Sequence, residues 1–126
     1  MSTSITTPTG KQFNFEVDAQ EKCIIITSQN NFKFRYRLCA LKDLLVWLKD
    51  NCGGKWVYLG SRGEEETPKE GTVEKWARSS TNPVGGFYGI TPGRKGRFAS
   101  YIPSILEYYC FVEIEHKPQN NRIRAL

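Results

Sequence analysis

Hydrophobic positions alternate with polar ones in the first third of the chain. Phe13, Phe15 and Val17 interleave with Gln12, Asn14 and Glu16, a period of two that predicts a strand with one wet face. Asp18-Ala19-Gln20-Glu21 reads as a turn, Cys23-Ile24-Ile25-Ile26-Thr27 as a β-branched strand, and Gln29-Asn30-Asn31 as a second turn. In the third strand Phe32, Phe34 and Tyr36 share one face while Lys33, Arg35 and Arg37 share the other. Short turns between three successive strands predict a small antiparallel meander over 12–37. Residues 1–11 are small and polar and are expected to be a disordered tail.

The period changes at Leu38. Leu41, Leu44, Leu45 and Leu48, flanked by Trp47, predict an amphipathic helix that Asn51-Cys52-Gly53-Gly54 ends. Lys55-Trp56-Val57-Tyr58-Leu59 is a short strand, and 60–66 is a charged loop. Thr67-Pro68-Lys69-Glu70 has capping-box spacing with proline at the first helical position, which predicts a second helix from Thr67 to about Ser79. Asn82-Pro83 and Gly85-Gly86 punctuate a long loop anchored by Phe87 and Tyr88. Thr91-Pro92 predicts the start of a third helix that runs to about Tyr109 and is kinked or broken at Pro103. Its buried face would carry Phe98, Ile102, Ile105, Leu106 and Tyr109. Phe111–Glu115 and Arg122–Leu126 then form a hairpin, with Val112 and Ile114 on the same face as Ile123.

With 126 residues, 39% of them apolar and 13% aromatic, the chain can bury the core of one domain, or of one domain with an appendage. The formal charge of +5 and pI near 9.1 favour an anionic partner such as a nucleic acid. The distribution matters more than the total. Between Glu74 and Glu107 there is no acidic residue, while Lys75, Arg78, Arg94, Lys95 and Arg97 all fall in that gap. Lys117, Arg122 and Arg124 follow Glu115, again with no acid among them.

The four cysteines form no CxxC pair and only one histidine is present, so no zinc site and no cofactor is expected. Unpaired thiols and an N-terminus with neither a basic start nor an apolar stretch are the pattern of a reduced, cytoplasmic protein. The longest helical apolar patch is interrupted by Lys42, Asp43, Lys49 and Asp50 and is too short for a membrane span.

The order from Leu38 onward is helix, short strand, helix, loop, helix, hairpin. In this order, and in the Tyr109-Cys110-Phe111-Val112-Glu113-Ile114-Glu115 passage from helix to strand, residues 38–126 resemble the winged-helix superfamily of DNA-binding domains. The resemblance implies an α+β fold: a three-helix winged-helix core with a C-terminal β-hairpin wing, preceded here by the three-stranded antiparallel meander. The loop between the second and third helices is long for such a domain, and a proline in the third helix departs from the pattern.

If the third helix enters a major groove, Arg94, Lys95, Arg97, Ser100 and Tyr101 are its candidate contacts, with Gly93 and Gly96 letting backbone N–H groups approach a phosphate. Lys117, Arg122 and Arg124 are the candidate contacts of the wing. Arg122 and Arg124 share a strand face, so they could instead form cross-strand ion pairs with Glu113 and Glu115. The Lys33, Arg35 and Arg37 stripe reads as a solvated sheet face. The expected function is non-catalytic binding of duplex DNA, as in transcriptional regulation. The alternative is a protein–protein adaptor or homodimer on the same fold, with Phe87, Tyr88, Tyr101 and Tyr108 at its interface. Glu115-His116-Lys117 also carries the Glu-x-Lys spacing of metal-dependent nucleases, with Glu107 in the helix just upstream as the candidate partner acid.

Overall fold

A computed structural model describes residues 2–126. They form a mixed α+β fold with two antiparallel sheets and three α-helices. The first sheet has four strands in sequential order: β1 (Thr3–Thr6), β2 (Gln12–Asp18), β3 (Cys23–Ser28) and β4 (Lys33–Arg37). The expected meander is therefore present with one strand more. Thr3–Thr6 pairs with Gln12–Phe15, which corrects the expectation of a disordered tail over 1–11; Met1 lies outside the described residues. The pairing turns on Thr7: its N–H donates to the Lys11 carbonyl and its hydroxyl accepts from the Lys11 N–H.

The register places Phe13, Phe15, Ile24, Ile26, Phe34 and Tyr36 on one buried face. Lys33, Arg35 and Arg37 stay exposed, as expected of a solvated stripe. Helix α1 (Ala40–Val46) buries Ala40 and Leu44, and continues as a π-helical turn, Trp47–Asn51, that buries Leu48. Gly53 and Gly54, both at positive φ, end it as predicted.

Strand β5 (Val57–Tyr58) follows, then α2 (Val73–Arg78) and α3 (Phe98–Tyr108), and finally β6 (Val112–Ile114) and β7 (Arg122–Ala125). The last two pair as expected, Ile114 opposite Ile123 and Glu113 opposite Arg124, and β7 is central in a sheet of order β5-β7-β6. Both later helices begin several residues after their expected starts. Gly71 sits at φ +79°, a left-handed conformation that interrupts any helix begun at Thr67. Thr72 is the cap instead, its hydroxyl accepting from the Lys75 N–H at 3.2 Å. Likewise Gly93 at φ +71° separates Thr91 from α3, and the Thr91 hydroxyl accepts from the Arg35 N–H at 2.7 Å. Pro103 lies inside α3, which runs unbroken through it.

Helix α3 is the centre of the molecule. It packs on α1, α2 and β6, while Tyr101 meets Phe13 and Phe34 of the four-stranded sheet at 5.0 and 5.1 Å between ring centroids. Seven of its eleven residues are buried. One continuous hydrophobic cluster joins Phe13 and Ile26 of the first sheet to Ile105 and Ile123. The meander is thus a structural layer of the same core, not an extension laid beside it.

Candidate functional site

The basic run before α3 is held in place from beneath by a buried ion pair. Glu74, fully buried in α2, lies four residues from Arg78, whose guanidinium meets its carboxylate at 3.0 Å. The same carboxylate accepts the Ala99 N–H at 2.9 Å and the Phe98 N–H at 3.3 Å, capping the α3 N-terminus with negative charge. Burial pushes the Glu74 carboxyl above its ordinary pKa, against the opposing pull of those N–H groups and Arg78. Arg78 also donates to the carbonyls of Arg62, Gly63 and Glu66, so one guanidinium ties the 60–66 loop to α2 and, through Glu74, to α3.

Gly96 of the basic run, and Gly89 just before it, are sites of close packing, whereas Gly93 faces open space. A Cβ on Gly96 would lie 2.6 Å from the Glu64 nitrogen, and one on Gly89 would lie 2.7 Å from the Lys95 Cα. The Tyr36 hydroxyl donates to the Gly96 carbonyl at 2.7 Å. Two expectations therefore need correction. Gly96 faces the 63–64 backbone, with no room there for a phosphate. The first two N–H groups of α3 are already taken by Glu74.

Above this platform opens a cleft of about 660 Å³. Its rim is formed by the β1–β2 turn with Thr7 and Lys11, the β3–β4 turn with Ser28, Asn30 and Phe32, and Gly93, Arg94, Gly96 and Arg97 of the basic run, with Glu64 beside them. Phe34, Ser100 and Tyr101 also line it, and Ser61 shares a 2.6 Å hydroxyl contact with Ser100. Of the residues expected to act together, Arg94, Arg97, Ser100 and Tyr101 meet here. Lys95 is adjacent and exposed, its N–H donating to Glu64 at 2.7 Å. The Arg94 guanidinium lies 4.2 Å from the centroid of the half-exposed Phe32 ring. Arg97 adopts φ +60°, a conformation that costs a non-glycine residue about 1–2 kcal/mol. Its N–H donates to the Arg62 carbonyl at 2.9 Å, which holds it there.

Lys117, Arg122 and Arg124 are not part of the cleft. Arg122 makes a two-pronged contact with Glu115, at 3.0 and 2.7 Å, and Lys117 approaches the same carboxylate at 3.6 Å. Arg124 is paired with Glu113 at 2.6 Å. Both guanidinium groups also lie over Trp56, at 5.1 and 4.7 Å. The cross-strand alternative is the arrangement observed. Arg122, with Lys117, lowers the Glu115 pKa to about 2.

The carboxylates considered for a metal pair look to different partners. Glu107 meets His116 Nε2 at 2.6 Å, while Glu115 faces the wing cations. His116 Nδ1 reaches the Pro8 carbonyl at 3.1 Å, and acceptors at both ring nitrogens favour the protonated ring and raise its pKa. Among the residues considered for an adaptor interface, Tyr88 is buried with its hydroxyl donating to Asp43 at 2.9 Å. Phe87 and Tyr108 are exposed and Tyr101 is half-buried.

Sequence reasoning missed Glu74, Lys11 and Phe32. The spacing of Glu74 and Arg78, four apart on a predicted helix, was the available signal for the first. Lys11 was hidden in the supposed tail, and Phe32 shares a parity with Phe34 and Tyr36 but lies just before the strand begins.

Across residues 2–126 the chain matches the model of a family of unknown function, DUF6855. No curated protein and no solved structure matches it. No helix among the described residues is long and apolar enough to cross a membrane.

Proposed function

The chain belongs to the family of unknown function DUF6855, and from that premise we propose, on geometry alone, that it binds DNA without catalysing a reaction. The observation that carries this reading is the convergence of Lys11, Arg94 and Arg97 with the aromatic Phe32 and Tyr101 around one open cleft. Cations with no acid near them in sequence, set beside ring faces and amides, suit a polyanion that also presents bases. The C-terminal part reads as a winged-helix-like unit. Its order of helix, strand, two helices and hairpin, and its strand order β5-β7-β6, support that likeness. The reading differs from the usual one in its contact surface. The four-stranded sheet covers the α3 face, so the grip falls to the cleft at the α3 N-terminus, and the wing arginines are neutralised by Glu113 and Glu115.

A second reading, a protein–protein adaptor, draws on the exposed cluster Tyr108, Tyr109 and Phe111 at the far end of α3. The two are separated by measuring binding of labelled DNA across a salt series. DNA binding through the cleft predicts affinity that falls steeply between about 50 and 200 mM salt. No binding at the low-salt end would sink the leading reading and favour the adaptor.

A further inference from the structure

We infer that the cleft takes single-stranded DNA, with unstacked bases inside it, in preference to a duplex. This rests on the DNA-binding reading above and names the form of the ligand. Three features of the molecule carry it.

The first is steric. A major groove about 12 Å wide admits an exposed helix, and α3 is buried between the four-stranded sheet and α1, α2 and β6. Only Tyr108, at its C-terminal end, is exposed, so α3 offers no continuous face to such a groove. The site is instead a concavity of about 660 Å³, rimmed by two β-turns and a glycine-rich loop. That volume falls within the range of roughly 300–1,000 Å³ that encloses small organic ligands. A base that has left its stack fits that description, and a stacked pair held inside a duplex does not.

The second is the stacking surface. Phe32 is 48% exposed at the rim, and the Arg94 guanidinium lies over it at 4.2 Å. Aromatic rings and guanidinium planes attract the face of a base, which a duplex conceals and a single strand offers. Behind them stands Tyr101, held edge-on by Phe13 and Phe34.

The third is the placement of charge and strain. Lys11 and Arg97 come from different elements that border the same opening, so a strand with its bases between them would meet a cation on either side. Glu64, the carboxylate in the lining, accepts the Lys95 N–H. Arg97 is held at φ +60° beside Gly96, where glycine would cost less. Strain kept at a cationic rim residue is of the kind found where a side chain must be aimed at a ligand.

The test uses the full chain and fluorescence anisotropy at about 50 mM salt. The probes are an oligothymidine of about twelve nucleotides, a mixed-sequence duplex of the same length, and thymidine monophosphate as a competitor. The oligothymidine is expected to bind at least about tenfold more tightly than the duplex, with the monophosphate competing poorly because it lacks neighbouring phosphates. Phe32→Ala should weaken single-strand binding by about 5- to 150-fold, as the loss of one stacking platform does. Arg94→Ala is the second variant, should Phe32→Ala fail to fold. Its side chain is exposed, and it should lose single-strand affinity while keeping the wild-type circular dichroism spectrum. Duplex binding equal to or tighter than single-strand binding overturns this inference and leaves the DNA-binding reading standing. Competition by the monophosphate as effective as by the oligomer overturns it in favour of a mononucleotide site. Failure of both DNA forms to bind overturns the inference and the parent reading together.

Discussion

Arg94 and Arg97 at the cleft and Arg122 and Arg124 on the three-stranded sheet are the same side chains in two electrostatic settings. On the sheet, register sets an acid beside each cation: Arg124 lies opposite Glu113, and Arg122 shares a two-pronged contact with Glu115. At the cleft no acid occurs in sequence between Glu74 and Glu107, Glu74 is spent on Arg78 and the α3 N-terminus, and Glu64, the carboxylate in the lining, accepts the backbone N–H of Lys95. A cation in a strand with an acidic partner strand is neutralised by geometry. A cation in an irregular loop stays available unless some distant element supplies the charge. Counting basic residues therefore overstates the wing and understates the cleft.

The largest way to break this contrast lies beneath the cleft. Glu74 and Arg78 are almost wholly removed from water, whereas Glu113 and Arg124 are 48% and 42% exposed. Truncating one partner of a buried pair leaves an uncompensated charge. Arg78→Ala is expected to cost about 3–5 kcal/mol by urea unfolding. Glu113→Ala should cost less than about 1 kcal/mol, as exposed pairs do. Similar losses for the two would mean that the buried pair does not organise the site.

A smaller effect sharpens the functional side. Replacing Lys11 and Arg97 together by alanine should reduce the salt slope of single-strand binding by about 1.4, at roughly 0.7 per phosphate contact. The same change at Arg122 and Arg124 should leave that slope as it is. A larger change from the wing pair would reverse the assignment of the site.

The smallest effects are in the pH dependence of the wing and its neighbour. Arg122 holds Glu115 near 2, below its ordinary 4.5. Its contribution to stability is therefore complete above about 4.5 and is lost as the pH falls through about 2. His116 behaves in the opposite sense, because Glu107 raises it above 6.5. Its contribution is complete below 6.5 and disappears as the pH rises through the raised value. Unfolding midpoints across pH for Glu115→Gln and His116→Gln, against the parent chain, should lose the acid and alkaline dependence respectively. Profiles parallel to the parent would show the pairs to be energetically idle.

Local patterns carried the strands and helices because each depends on near neighbours. Alternation grouped Phe13 with Phe15 and Phe34 with Tyr36, which are buried, although Val17 and Phe32 share their parity and are exposed; Val112, Ile114 and Ile123 shared a face as their parity required. Helix starts were less legible. Thr67 and Thr91 have the chemistry of caps, but Gly71 and Gly93 adopt positive φ after them, and a glycine does not announce which of its conformations it will take. The acid-free stretch that exposes Arg94 and Arg97 was visible directly.

What the chain determined by itself, then, is its periodicity, its hairpins and the charge left unopposed along its length, all set by residues a few positions apart. Only the tertiary structure decided that the four-stranded sheet would cover α3, bring Lys11 and Phe32 to Arg94 and Arg97, and seal Glu74 under them. Those contacts join positions far apart in sequence. They are selected by how the two sheets share one core around α3, and no local pattern encodes that choice.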